Sequence, residues 1–531
     1  MNAIAHAPFF LPPHKGEPGG VDYLGLRAIN LEMMDELLPG LNNVANRIRP
    51  FSLLAWTIWA YEDSHREHGT LMAAKEYALF REKIEALFIM SHQLAGISLT
   101  GTAGAQQRID QRKLTTLKFP SMGRQHANSL INAVNYGPGL KGNSGYQFAY
   151  SHPEIPQAFL VTKAGARLAL ALDERLRKKL SDTNYAFLRA LDDFEISTEN
   201  VEAFATAWNI EKPSKQEKIQ FFSRFYPTNS SVPQEQERSA TLDLILAVVN
   251  SNSEYQTVGD IRRTMTMSNS LDLPDDVVRA QWRWRALQLR QAQRLALESL
   301  FGYIERCIWQ EDMHSTLQYA ARMTEAVSSS RPTWDVNSVL ADRLAQFSGM
   351  AASAHALFES GWTNSECDIV SLSADLAQEM KNLSLKDDVI AQALDLLILV
   401  SVFTEHFLSD HDLKKYVINR STTRLPLDAW AIMVRSRSGE SLQVFLEQLI
   451  ETWLISQHLG VAASRSSLDS SRMRLSIDDA GISSLLEAES QCWSPGLTAD
   501  RVITALSLLS ECGKIESYLG EDNQIYYLGS T

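Results

Sequence analysis

Four arginines, Arg279, Arg283, Arg290 and Arg294, recur at i, i+4, i+11 and i+15 within the stretch VVRAQWRWRALQLRQAQRLALE. At about 100° per residue they share a face about 60° wide and about four turns long on a helix. A guanidinium is a planar fork that donates two hydrogen bonds to one phosphate, so a one-sided row can follow a nucleic-acid backbone. The row has a second use. In a chain with 63 acidic residues, arginines on one face can pair with a neighbouring helix, and Trp282 and Trp284 beside them then read as core. The two uses make opposite demands, because only a phosphate-binding row must face solvent.

A second group comprises Lys118, Arg124, His126, Asn128, Asn132 and Lys141. These side-chain types reach base edges or phosphates. Arg124, His126, Asn128 and Asn132 fall on a polar helix expected over Ser121–Asn135, with Lys118 before it and Lys141 in the glycine-rich loop Gly137–Gly145. A solvated helix face is the alternative. Together the ten residues form the expected DNA-binding set. Possible metal ligands gather at Glu62, Asp63, His65, Glu67 and His68, and again at Glu405, His406, Asp410, His411 and Asp412. Neither group has HExxH spacing or a paired-carboxylate nuclease pattern, and polar helix ends account for both. Gly101–Gly104 (GTAG) lacks the lysine and spacing of a phosphate-binding loop, and no GxSxG occurs. No catalytic residue, metal or cofactor is assigned, and the chain reads as a non-enzyme.

The secondary structure expected around these groups is mostly helical. Ile29, Met33 and Leu37 recur at i, i+4 and i+8 before Pro39-Gly40; Leu53, Trp56 and Ala60 mark a face after Pro50; a longer helix covers Ala73–Leu94. The stretch 96–180 has winged-helix order: the polar helix, short strands at Tyr146–Tyr150 and Ala158–Val161, then a helix from Thr162 with Leu168, Leu172, Leu176 and Leu180 in register. Helices separated by polar breaks, the clearest at Tyr226–Arg238, fill 181–438. The last ninety residues repeat that order with a helix over Ser441–Val461, a strand at Met473–Ile477, helices over Asp479–Glu489 and Thr498–Cys512, and a hairpin of Ile515–Leu519 and Gln524–Leu528. The expected fold is therefore mainly α, a multidomain helical protein with two small winged-helix (α+β) modules. Its domains are a helical 1–95, a basic winged-helix-like 96–180, a helical 181–438 and a winged-helix 439–531. At 531 residues the chain exceeds what a single core usually supports.

Charge separates the two modules. The net charge is −13, yet Gly101–Leu180 holds 12 Lys and Arg against 4 Asp and Glu, or +8, leaving −21 for the rest. Local potential, not the total, decides attraction to phosphate. From Gly481 to Thr531 only Arg501 and Lys514 oppose seven acidic residues. DNA would be repelled there, so this module is expected to dock protein. The four cysteines, Cys307, Cys367, Cys492 and Cys512, stand far apart with no CxxC pair, which fits a reducing compartment. The N-terminus lacks the order of a secretory signal. The most apolar helix, Val389–Leu408, is interrupted by Asp395 and Glu405, whereas a bilayer span needs about 20 apolar residues. A cytoplasmic protein without a membrane anchor is expected.

The string FLVTKAGARLALAL resembles the strand-to-helix junction of winged-helix regulators. Two further stretches, Val21–Glu62 and Phe445–Ile477 (FLEQLIETWLISQHLGVAASR, then RMRLSI), resemble uncharacterised helical proteins of bacterial mobile-element and anti-phage defence gene clusters. They cover under a fifth of the chain. The resemblance implies a setting, foreign-DNA defence, and assigns no residue a role. The expected function is a non-catalytic DNA-associated scaffold or sensor subunit. Its partners would be DNA and proteins of the same operon, such as an ATPase, helicase or nuclease. A purely protein-binding helical scaffold and a nuclease or other effector enzyme without a motif are the alternatives. Solvent exposure of the arginine row separates the first from the second.

Overall fold

The structure, a computed structural model, describes residues 22–97, 99, 116–118, 130–131, 135–142, 144–192, 194–332, 339–350, 352–381, 387–418, 424–465 and 472–530. Within them the chain is mainly helical. Short strands complete it: β1 (Thr116–Lys118), β2 (Ala149–Ser151), β3 (Phe159–Val161), β4 (Glu195–Ser197), β5 (Gln256–Thr257), β6 (Leu475–Asp478), β7 (Gly481–Ser484), β8 (Ile515–Leu519) and β9 (Ile525–Gly529). They form antiparallel sheets ordered β1-β4, β2-β3, β5-β9-β8 and β6-β7. The chain divides into two compact units. One comprises Met1–Met33, Arg263–Ser270 and Gln281–Thr498; the other comprises Met34–Arg262, Leu271–Ala280 and Ala499–Thr531.

In the second unit the helix Ile48–His68 carries Pro50 in its first turn, where a missing N–H costs nothing. It packs against the helix Lys163–Lys179. Thr162 caps that partner by accepting from the Gly165 amide at 3.0 Å, and Leu168, Leu172 and Leu176 are buried along its inner stripe. Gly165 is required there, because a Cβ would lie 1.9 Å from the Phe148 carbonyl oxygen. The Trp56 indole donates to buried Asp173 at 2.9 Å, which satisfies both polar groups inside the interface. Truncating a leucine such as Leu172 to alanine costs about 2–5 kcal/mol in a packed core of this kind.

The first unit is organised around the helix Asp387–Ser409, which packs against the helices Thr316–Ser330, Ile369–Glu379, Val339–Gly349 and Leu427–Ser436. Among the described residues it is the one helix apolar and long enough to cross a bilayer, and 83% of its apolar window is buried inside the protein. It is a core helix, as its interrupting charges imply. Asp395 is held by Arg343 at 2.8 Å.

A strand pair and the helix after Thr162 form in the region expected, β2 pairing with β3 through Ala149↔Val161 and Ser151↔Phe159, although β2 begins at Ala149 and not at Tyr146. β1 does not join them; it pairs with β4. The residues read as helix over Asp479–Glu489 instead begin with β7, paired to β6. Gly481 sits at φ +115° in that turn, a conformation closed to side-chain-bearing residues, and the next amide, Ile482, donates to the His314 carbonyl at 2.8 Å. A glycine turn stitched to a distant carbonyl thus overrides local helix propensity. The last hairpin, β8–β9, forms as expected, but its third strand is β5. Residues 439–531 are therefore divided between the two units.

Candidate protein-docking surface

The arginine row lies on the helix Asp275–Glu311, but it is not a row facing solvent. Arg290 is 2% exposed and Arg294 6%. Arg290 donates to the backbone carbonyls of Arg424 and Leu425 and to the Gln293 side chain. Burial pushes its guanidinium down to about 9. Arg294 bonds Glu298 at 2.9 Å and the Gly496 carbonyl at 2.5 Å. The same helix buries Arg285, which donates to the carbonyls of Thr266 at 2.8 Å and Ser268 at 3.0 Å. Glu305, also on this helix, grips buried Arg474 with both carboxylate oxygens at 2.5 and 2.9 Å. The physical reason is shared. Irregular segments and the last turns of helices leave carbonyls without a backbone partner, and a guanidinium with five donors can serve several at once. Arg238 in the second unit does likewise for Phe225, Pro39, Arg224 and Ser144, at 2.8–3.2 Å.

The other two members of the row differ. Arg283 is half-buried and Arg279 is exposed. Arg279 lines a cavity of about 470 Å³ in the second unit with Tyr226, Asn229, Ser230, Glu237, Asp243 and Asp276. Tyr226 hydrogen-bonds Asp243, whose carboxyl burial pushes up. Three carboxylates around one guanidinium give the wall a sign that repels phosphate.

The basic module is legible only in part. Arg124, His126, Asn128 and Asn132 lie outside the described residues, and Lys118 ends β1. The Lys141 ammonium sits 4.3 Å over the Phe159 ring, and burial lowers its pKa. Along Lys163–Lys179, Arg175 donates to the Ala207 carbonyl at 2.6 Å, Arg177 bonds Asp173 at 2.7 Å, and Lys178 bonds Glu174 at 2.5 Å. The ligand-type cluster at 62–68 is likewise engaged: His65 bonds Glu76 at 2.7 Å, and Arg189 bonds Asp63 at 2.9 Å and Glu67 at 3.3 Å. No group of three His, Cys, Asp or Glu is placed to hold a metal among the described residues.

On the C-terminal sheet, what faces outward is acidic and aromatic. The sheet β5-β9-β8 packs one side against the helices Pro233–Asn250 and Val502–Glu511, burying Ile515, Tyr527 and Gln256. Strand alternation then sends Glu516, Tyr518 and Tyr526 to the opposite face. Tyr518 and Tyr526 are register partners whose rings stack at 5.2 Å. Tyr255, just before β5, meets Tyr518 edge-on at 4.6 Å and donates to Glu516 at 3.3 Å. At the turn, Asp522 accepts from the Gln524 amide at 3.0 Å and the Tyr526 hydroxyl at 2.8 Å; these bonds hold its carboxyl below the ordinary range, the amide bond most. Tyr rings ordered beside carboxylates offer a cation both a π face and a counter-charge. Sequence reading identified the hairpin and its negative charge but not Tyr255. The available signal was the alternation Glu516, Tyr518 and Tyr526, which marks one solvent face of a strand pair. No protein-family model, no curated protein and no solved structure matches the chain.

Proposed function

We propose that this chain is a protein-binding helical scaffold that holds a partner on the outer face of its C-terminal sheet. The observation that carries this reading is the outward cluster of exposed Tyr255 and Tyr518 with half-buried Tyr526, beside the carboxylates of Ile515–Thr531, a stretch that contains no lysine or arginine. Tyrosine is a preferred anchor of protein interfaces because it brings large rigid area at low entropic cost. The burial of Arg290 and Arg294 removes the support that the long helix lent to a DNA-holding role. That role would then rest on the basic module, residues 101–180, whose Arg124, His126, Asn128 and Asn132 lie outside the described set. From the winged-helix expectation this reading keeps the helix Val502–Glu511 and the hairpin after it. The setting we infer is the one the resemblance implies, a bacterial defence gene cluster, whose neighbouring products would supply the partner.

Co-purification of the tagged full chain with the products of its neighbouring genes tests the proposal. Capture that survives nuclease treatment and high dilution, and that is lost in Tyr518→Ala and Glu516→Lys, is expected. Capture that both variants retain, or that nuclease abolishes, contradicts it; the second result would return DNA to the first place.

A further inference from the structure

The open side of β8 restricts what the tyrosine face can hold, an inference that rests on the docking reading above. The Gly520 amide donates to the Gln524 carbonyl at 2.8 Å. Hydrogen-bonded and non-bonded pairs alternate along an antiparallel ladder. With the register Leu519↔Ile525, Tyr518↔Tyr526, Ser517↔Tyr527 and Glu516↔Leu528, Tyr518 and Glu516 therefore bond β9, while the N–H and C=O groups of Ser517 and Leu519 point away from it. β8 ends its sheet, with β9 as its strand partner among the described residues. Ser517 is exposed, and Leu519 is 66% exposed. Such an edge is a template for another strand, and native edges are usually guarded by lysine, proline or a bulge. The sequence of β8, IESYL, contains no lysine or proline, and its pairing with β9 runs without a bulge.

Charge selects the occupant. Glu254, Asp260, Glu516, Glu521 and Asp522 are all exposed around the sheet, and neither Ser251–Asp260 nor Ile515–Thr531 contains a lysine or arginine. A second copy adding its own β8 would set Glu516 and its companions against like charges, which destabilises cross-strand pairs. We propose that β8 accepts an extended, lysine- or arginine-bearing segment of a partner protein as an added strand. The segment's backbone bonds Ser517 and Leu519, and its cations lie over Tyr518 and against Glu516. Five residues of strand span about 17 Å, so the matching segment is about five residues long.

The probe is a fluorescein-labelled decapeptide alternating lysine with valine, titrated by anisotropy against the full chain. Saturable binding that weakens as salt rises is expected, with none for the glutamate–valine counterpart. Leu519→Pro removes an outward N–H while leaving the β8–β9 bonds in place, and should weaken binding by about tenfold or more. A decapeptide with alternate amides N-methylated makes the same cut from the ligand side and needs no variant to fold. If both bind as strongly as the unmodified pair, strand addition is overturned, even where Glu516→Lys abolishes binding. No binding of the lysine peptide, with partner capture still lost in Tyr518→Ala, overturns the strand inference and leaves the docking reading standing. Sedimentation showing self-association that Leu519→Pro abolishes also overturns it, in favour of a second copy.

Discussion

Arg290 and Arg294 on the long helix, and Glu516 and Tyr518 on the C-terminal sheet, are the polar and aromatic groups most suggestive of binding, and the fold treats them oppositely. The arginines lie within 6% of complete burial and donate to carbonyls and a carboxylate of their own unit. Tyr518 is 46% exposed and Glu516 faces solvent beside it. Residue type therefore says what a group can bind, and burial says whether the group is already committed. In the long helix the positive charge is structural. In the sheet the negative charge remains on the surface, where a partner can reach it.

Substitutions in the buried network should give the largest effects. Glu305→Ala leaves buried Arg474 without its two-point partner and should cost about 3–5 kcal/mol in denaturant unfolding. A loss below about 1 kcal/mol would show that this interior network is not structural. Acid should act next. His92 and His458 are held neutral by burial, which pushes each down to about 4. Each accepts a backbone N–H on Nε2, from Ile210 and Arg474 respectively, both at 3.0 Å. The unfolded imidazole binds its proton at about 6.5. Between those values the unfolded chain holds more protons, so stability is fully present above about pH 6.5 and falls as pH drops toward 4, by about 3 kcal/mol per histidine. His92→Gln and His458→Gln should each flatten that slope, and an unchanged slope in both contradicts the assignment.

Arg290→Met should cost about 1–3 kcal/mol, the penalty for taking the guanidinium from the Arg424 carbonyl while the Leu425 carbonyl keeps its 3.3 Å bond from Gln293, with no change in DNA retention on filters across a salt titration. A steep, salt-dependent loss of DNA binding in this variant would reverse the comparison. Tyr518→Ala should be the mildest for the fold, below about 1 kcal/mol, because the ring is 46% exposed and meets the rings of Tyr255 and Tyr526 on the outer face of the sheet. Its effect should appear in partner capture alone.

Much of the helical frame was legible, and the reasons are local. Pro50 sits in the first turn of its helix, the Thr162 cap and the leucines behind it describe Lys163–Lys179, and the turn at Gly520–Asn523 gives the last hairpin. What failed was set by distant chain. Periodicity puts the four arginines on one helix, as Asp275–Glu311 does, but nothing in a helical period reports that carbonyls more than 130 residues away will cover Arg290. The turn at Gly481 reads locally as a helix start, and its selection depends on the His314 carbonyl. The docking face was half-visible. The acidic hairpin could be read, whereas Tyr255 and β5 join it across some 260 residues of chain through pairing with β9 and the contact with Tyr518.

Amide hydrogen exchange of the full chain, alone and with its captured partner, locates the surface that holds the partner. Protection on binding should concentrate at Ile515–Gly529, with Ser517 and Leu519 among the slowed amides, while the long helix stays as it was. Protection confined to residues 101–180, with the C-terminal sheet unchanged, would overturn docking on that sheet and place recognition in the basic module.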